Sequence, residues 1–217
     1  MIASVCIVSK GNYWQERFNL ECALRNSGEM DVDLLVYQIK GNDQRLIEFV
    51  DSMLEPDENG VAFSKQFTTL KRTSTHVEIG ASETKAYNEM FKAAIGDFYC
   101  MLSPEVRVCK NWLHDFAYVI ENVKKPGLVH IRHALSAPKY TPTSNKNDDL
   151  MFVIHPENDE FTGASAFDKT VYELFGGFDQ KKDLEPNHYK SMFQDMIKNG
   201  FTNVGVPKQI LLNTRKQ

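Results

Sequence analysis

Gly96-Asp97-Phe98-Tyr99-Cys100-Met101-Leu102-Ser103-Pro104-Glu105-Val106 decides how this chain folds. Phe98 to Leu102 are apolar or aromatic without interruption, bounded by Gly96-Asp97 and Ser103-Pro104. Such a run reads as a strand covered on both faces. Pro104 has no N–H to donate to a ladder, so pairing ends there. Glu105 then stands just past the carboxyl end of a central strand, the edge at which open α/β sheets bind ligands. A carboxylate at that edge suits a divalent cation held against a phosphate.

The flanking segments supply the rest of such a sheet. Ile2 to Val8 is an apolar run that reads as a central strand, broken by Ser9-Lys10-Gly11-Asn12. Trp14 to Arg25 has helical spacing, with Phe18, Cys22 and Leu24 among its apolar positions and Gly28 as a stop. Val32 to Tyr37 is a second strand, broken by Lys40-Gly41-Asn42-Asp43, and Gln44 to Leu54 a second helix. Strand, helix, strand, helix at this spacing predicts a parallel sheet with right-handed crossovers. Thr68 to Thr75 is hydroxyl-rich and is expected to be mostly irregular, or one weak strand. Ser82 caps a helix through Ala94, with Ala86, Met90, Ala93 and Ala94 inward.

Beyond the opening strand, Asn111 caps a helix to about Glu121, with Trp112, Phe116, Val119 and Ile120 inward. Leu128 to His133 alternates and predicts a half-exposed strand. Ala137 to Asp149, rich in Pro, Ser, Thr and Asn, reads as a loop, and Leu150 to Ile154 as a strand. Asp168 starts a helix that Gly176-Gly177 ends, and Asn187 to Lys198 is the last helix. The expectation is one α/β domain over residues 1–217, with a more regular half to about residue 106 and a less regular one from 107.

Bulk composition narrows the function. With 217 residues, 42% hydrophobic and 25% charged, the chain is globular with ample core. A net charge of −4 argues against a basic nucleic-acid coat, so no nucleic-acid partner is expected. Cys6, Cys22, Cys100 and Cys109 form no CxxC pair, and Cys6 and Cys100 lie in apolar runs as small hydrophobes. Reduced thiols point to the cytoplasm, or to the cytosolic face of a membrane. Lys10 cuts the first apolar run far short of the ~20 residues a spanning helix needs, so neither a transmembrane segment nor a signal peptide is expected.

Four segments, in this order and spacing, resemble GT-A fold glycosyltransferases of the family-2 type. They are Ile7-Val8-Ser9-Lys10-Gly11-Asn12; Lys85-Ala86-Tyr87-Asn88 with Ala93-Ala94-Ile95-Gly96-Asp97-Phe98; Leu102-Ser103-Pro104-Glu105-Val106 with Asn111-Trp112-Leu113; and Phe161-Thr162-Gly163-Ala164 with Gly176-Gly177-Phe178-Asp179. The resemblance spans nearly the whole chain. It implies a Rossmann-like, mostly parallel sheet flanked by helices. It also implies a donor that is a nucleoside diphosphate sugar, UDP- or GDP-linked, a glycan or other hydroxyl acceptor, and a divalent cation, Mn²⁺ or Mg²⁺.

The resemblance also implies roles for individual residues. Val8 and Ser9 fall where the family begins its nucleotide pocket. Gln38 stands where an Asp usually reads the base, and its amide offers both a donor and an acceptor. Lys85, near a helix N-terminus, is placed to neutralise phosphate. Asn88 touches the nucleotide or caps a loop. Ser103-Pro104-Glu105 replaces the family's Asp-x-Asp, leaving Glu105 as metal ligand and Ser103 as a neutral oxygen. The usual catalytic Asp is missing near His188-Tyr189. Asp183 and Glu185 lie about one turn upstream; Glu185 or His188 is the candidate base, and His188 is also a candidate metal ligand. Asp179 falls in the acceptor-side motif.

Read without that resemblance, Glu105 is also an ordinary solvated turn residue. His130 and His133, with no Cys or further His at ligand spacing, read as structural or solvated. Two other functions stay open. One is a catalytically degenerate module that binds a glycan or a protein. The other is a nucleotidyltransferase, for which Ser9-Lys10-Gly11-Asn12 is short and poor in glycine.

Overall fold

The computed structural model describes residues 1–55, 69–131, 142–144, 151–154, 163–180, 189–206 and 211–212. Within them the chain runs β1 Ile2–Ser9, α1 Tyr13–Arg25, β2 Asp31–Gln38, α2 Gln44–Ser52, β3 Thr69–Val77, α3 Glu83–Ala93 and β4 Phe98–Leu102. There follow β5 Val106–Arg107, α4 Trp112–Asn122, β6 Pro126–Ile131, β7 Pro142–Ser144, β8 Met151–Ile154 and β9 Ala164–Asp168. The last elements are α5 Lys169–Phe175, α6 Lys190–Lys198, β10 Thr202–Val206 and β11 Leu211–Leu212.

Side-chain caps start four of these helices. Asn12 accepts from Gln15 N, Asp43 from Arg45 N, Ser82 from Lys85 N and Asp168 from Thr170 N, each satisfying an orphan donor of a first turn. Asn111 precedes α4 without a side-chain cap, in the left-handed region at φ 63° that Asn tolerates.

Nine strands form one sheet in the order β3-β2-β1-β4-β9-β6-β10-β8-β7. All strands but β9 and β8 point the same way, as the pairings require. The continuous apolar runs are explained by cover on both faces. Ala3, Val5 and Ile7 of β1 join Cys100 and Leu102 of β4 in a core with α1, α2 and α4, built around Leu24, Val50, Trp112 and Phe116. Cys6 and Val8 join Tyr99 and Met101 in a second core with α3, α5 and α6. There Phe91 stacks on Tyr99 at 4.9 Å between ring centroids. None of the four cysteines forms a disulfide; burial pushes the Cys6 and Cys100 thiols well above their ordinary pKa, so both remain protonated.

Gly96 admits β4 to the sheet. Its N–H donates to Ser4 Oγ at 2.9 Å, and a Cβ there would lie 2.6 Å from Ser4 N and Oγ and 2.9 Å from Ile2 O. Two of those atoms are backbone of the central strand and cannot swing aside. Gly96→Ala is expected to lose about 2 kcal/mol through overpacking, read as a lower urea midpoint at unchanged slope.

Several expectations are corrected. β3 is a full nine-residue strand paired parallel along β2, with one register shift at Lys71, because Thr residues suit a half-covered strand. β6 is buried rather than half-exposed, since β9 and β10 flank it and α4 and α6 pack against it; His130 is enclosed with it. Inside the expected loop 137–149, Pro142–Ser144 pairs with β8; the rest of that loop and His133 lie outside the described residues. Ala93, expected inward, is exposed, and so is Phe18, which lies under the Arg107 guanidinium at 4.4 Å. Strands β9, β10 and β11 were not anticipated.

Candidate active site

The strand order places a topological switch at β1. After β1 the chain crosses to β2 on one side, and after β3 it returns to β4 on the other. The crevice between the carboxyl ends of β1 and β4 is where such sheets bind ligands. Its lips are residues 10–12 after β1 and residues 103–105 after β4.

Glu16 of α1 builds the first lip. The side chain is buried; Oε1 accepts from the backbone N–H groups of Lys10 (2.7 Å), Gly11 (3.1 Å) and Asn12 (3.3 Å), and Oε2 from Ser9 Oγ (2.6 Å). Gly11, at φ +89°, lets the chain curl around that carboxylate. Ser9 therefore spends its hydroxyl inside the loop, and the Val8 side chain faces the α3 core. Lys10 pairs with Glu83 at 2.8 Å, and Tyr189 donates to the other oxygen of Glu83 at 2.8 Å. Glu16→Ala would strand the buried Ser9 hydroxyl and release three part-buried backbone N–H groups. It is expected to cost about 2 kcal/mol, with Glu16→Gln intermediate, both read by chemical denaturation.

The second lip is Ser103-Pro104-Glu105. Ser103 N donates to Gly163 O at 2.7 Å and Val106 N to Ser103 O at 3.1 Å. Ser103 Oγ accepts from Glu105 N at 3.4 Å, so this hydroxyl closes its own turn. Pro104 is buried, and its carbonyl accepts from Asn19 Nδ2 of α1 at 2.7 Å. Glu105 is exposed, and among the described residues its carboxylate has no hydrogen-bond or ionic partner.

Other expected site residues are engaged within the fold. Gln38 is buried; its Oε1 accepts from Asp43 N at 2.7 Å and its Nε2 donates to Asp43 O at 3.3 Å, closing the turn into α2. Asn88 holds the turn after α5: Nδ2 donates to Phe178 O at 2.8 Å, while Oδ1 accepts from Phe178 N at 2.9 Å and Tyr172 Oη at 3.2 Å. Gly177 in that turn has φ +88°, and a Cβ there would approach Asn88 Oδ1 to 2.7 Å. This clasp leaves Asp179 at the surface just beyond Phe178. Glu185, His188 and Asp183 lie outside the described residues, as does Phe161.

Lys85 is tied to the far side of β2. Its ammonium pairs with Glu78, and lies 3.8 Å from Glu89. Tyr37 Oη is 2.7 Å from a carboxylate oxygen of each of those glutamates, and the His76 ring lies 4.5 Å from the Tyr37 ring. The Lys85 hydrogen bond is the main reason Glu78 titrates below the ordinary carboxylate range. That same bond raises Lys85. Burial first, then the two glutamates, raise Tyr37. One ligand atom each from His76, Glu78 and Glu89 lie within 4.8 Å of one another, but Lys85 already supplies the cation there.

Sequence reading missed Glu16 and Asn19. Nothing local marks either: the capping-box position three residues after Asn12 is Gln15, not Glu16.

No protein-family model matches this chain. No curated protein matches it either. Solved structures do. Staphylococcus aureus TarS (residues 1–349) in complex with UDP superposes at TM-score 0.65 and 13% identity, over 96% of this chain and 59% of that one. GalNAc-T7 with UDP, GalNAc and Mn²⁺ gives 0.64 and 12%, over 96% and 42%. The Pyrobaculum calidifontis mannosyltransferase PcManGT with GDP-Man and Mn²⁺ gives 0.58 and 11%, over 94% and 54%. The chain has the GT-A fold. It spans between about two fifths and three fifths of the length of these three structures. Among the described residues no helix is long and apolar enough to cross a membrane.

Proposed function

We propose that this chain transfers a sugar from a nucleoside diphosphate sugar to a hydroxyl acceptor. The observation that carries the reading is the Glu105 carboxylate, unpartnered among the described residues, at the switch point of a GT-A sheet. In transfer, the C1–O bond to the β-phosphate breaks with its electron pair staying on the diphosphate. The acceptor oxygen bonds to C1 and gives its proton to a base. The donor set suits a hard cation that takes most of its ligands from the diphosphate and water: one free carboxylate at Glu105, with Ser103 offering a hydroxyl oxygen. A bound Mn²⁺ or Mg²⁺ would neutralise charge on the leaving diphosphate. TarS, GalNAc-T7 and PcManGT are solved with UDP or GDP-Man, the last two also with Mn²⁺, which supports this class of donor.

Glu185 and His188 are the proposed candidates for the base, His188 also for a metal ligand, and Asp179 for the acceptor side. Lys85 serves phosphate only by leaving Glu78, and Gln38 and Asn88 meet the nucleotide only by leaving their present partners. That engagement favours a second reading, a catalytically degenerate module that binds a glycan or a protein partner. A nucleotidyltransferase is disfavoured because Glu16 fills the backbone donors after β1 that would cradle a triphosphate. Four cysteines without a disulfide support a reducing, cytosolic setting.

The test is incubation of the protein with UDP- and GDP-sugars, Mn²⁺ and a panel of hydroxyl acceptors. Release of nucleoside diphosphate supports transfer. Binding without release supports the silent module. Release of pyrophosphate from a nucleoside triphosphate and a sugar phosphate would replace the proposal.

A further inference from the structure

We propose that Asn19 is a positioning residue, through which α1 aims Glu105 into the crevice. Asn19 is buried, with 1% exposure. Its Nδ2 donates to Pro104 O at 2.7 Å, and its Oδ1 accepts from Arg107 Nε at 3.3 Å. The Pro104–Glu105 peptide is therefore held at both ends: its carbonyl by Asn19, its N–H by Ser103 Oγ at 3.4 Å. A planar peptide fixed at oxygen and nitrogen cannot rotate, so the direction in which Glu105 leaves the turn is set. Arg107, bound to the same amide, ties the strand that follows.

Glu16 lies three residues before Asn19, on the same face of α1. It grips the lip after β1 as Asn19 grips the lip after β4. One helix thus sets both sides of the crevice and their separation. Groups that orient a metal ligand typically change metal affinity about 10–100-fold when removed. The inference rests on the reading that Glu105 holds a cation against a diphosphate.

The test compares wild type, Asn19→Ala and Asn19→Asp, each first shown to melt cooperatively. Asn19→Asp keeps the size and the acceptor for Arg107 but lacks the N–H for Pro104 O. Two quantities are read: the gain in UDP affinity on adding Mn²⁺, and amide hydrogen exchange of residues 105–107. Both variants are expected to lose about tenfold or more of the Mn²⁺ gain, to keep metal-free UDP affinity, and to exchange faster at 105–107 with β1 and β2 unchanged. A folded Asn19→Asp protein with the full Mn²⁺ gain overturns the proposal, as does unchanged exchange at 105–107. If wild type binds no UDP or GDP with Mn²⁺, the glycosyltransferase reading fails instead. The exchange arm then decides alone whether Asn19 positions the turn.

Discussion

Asp33→Ala is expected to destabilise the protein by about 3 kcal/mol, at the lower end of what breaking a buried ion pair costs. For a chain of this length, that lowers the melting temperature by about 6–12 °C. Asp33 is fully buried on β2. Its Oδ2 accepts from Ser4 Oγ at 2.7 Å, Arg72 Nη2 at 3.0 Å and Ile95 N at 3.0 Å, and its Oδ1 from Arg72 Nε at 2.7 Å. Arg72 also donates to Ala93 O at the end of α3, and Ser4 Oγ accepts Gly96 N–H. One carboxylate therefore joins β1, β2, β3 and the α3–β4 connection at the end of the sheet away from the crevice.

Removing Asp33 leaves a buried hydroxyl, a backbone N–H and a guanidinium short of their acceptor. The lower end of the range applies because the Arg72 side chain is about one-third exposed and regains water. Asp33→Asn keeps one acceptor oxygen but not the charge, and should lose about half as much. Thermal and urea unfolding measure both. Nucleotide binding by the surviving folded fraction should not change, because the network lies at the opposite end of the strands.

The first half of the fold was legible because its signals are local. Ile2 to Val8, Val32 to Tyr37 and Phe98 to Leu102 are apolar runs stopped by Gly, Asn or Pro, and the helices between them carry their own caps. β9 was not legible. Ala164-Ser165-Ala166-Phe167-Asp168 is as long as β4 but has only one large apolar side chain, and its burial comes from lying between β4 and β6. β10, with Thr202, Asn203 and Gly205 among its five residues, has no apolar run either and owes its place to β6 and β8.

In the candidate site the residue types were readable and their partners were not. Glu105 could be found because a strand end and a proline mark its place. Asn88 could be singled out, yet its hold on Phe178 is a contact across 90 residues of sequence. Asn19 meets Pro104 across 85, and no spacing rule joins them. Gln38 and Asp43 are close in sequence, but the closed turn that consumes the amide follows from Gln38 being buried at a strand end.

Glu105→Ala is expected to remove the dependence of nucleotide binding on metal while leaving the fold intact. The carboxylate is exposed and has no partner among the described residues, so its loss strands nothing and stability should stay within about 0.5 kcal/mol. Ser103→Ala should do less to binding, because the hydroxyl it removes serves mainly its own turn. Weakening by Ser103→Ala as severe as by Glu105→Ala would mean that the hydroxyl is an equal ligand or that its hold on the Glu105 N–H matters as much as the carboxylate.

Calorimetric titration of UDP and GDP into wild type and Glu105→Ala, each with and without Mn²⁺, tests the central claim most directly. The predicted result is that Mn²⁺ tightens one of the nucleotides at least about tenfold on wild type, about 1.4 kcal/mol, and has no effect on Glu105→Ala. An equal Mn²⁺ effect on both proteins, or no binding of either nucleotide to wild type, would contradict the account.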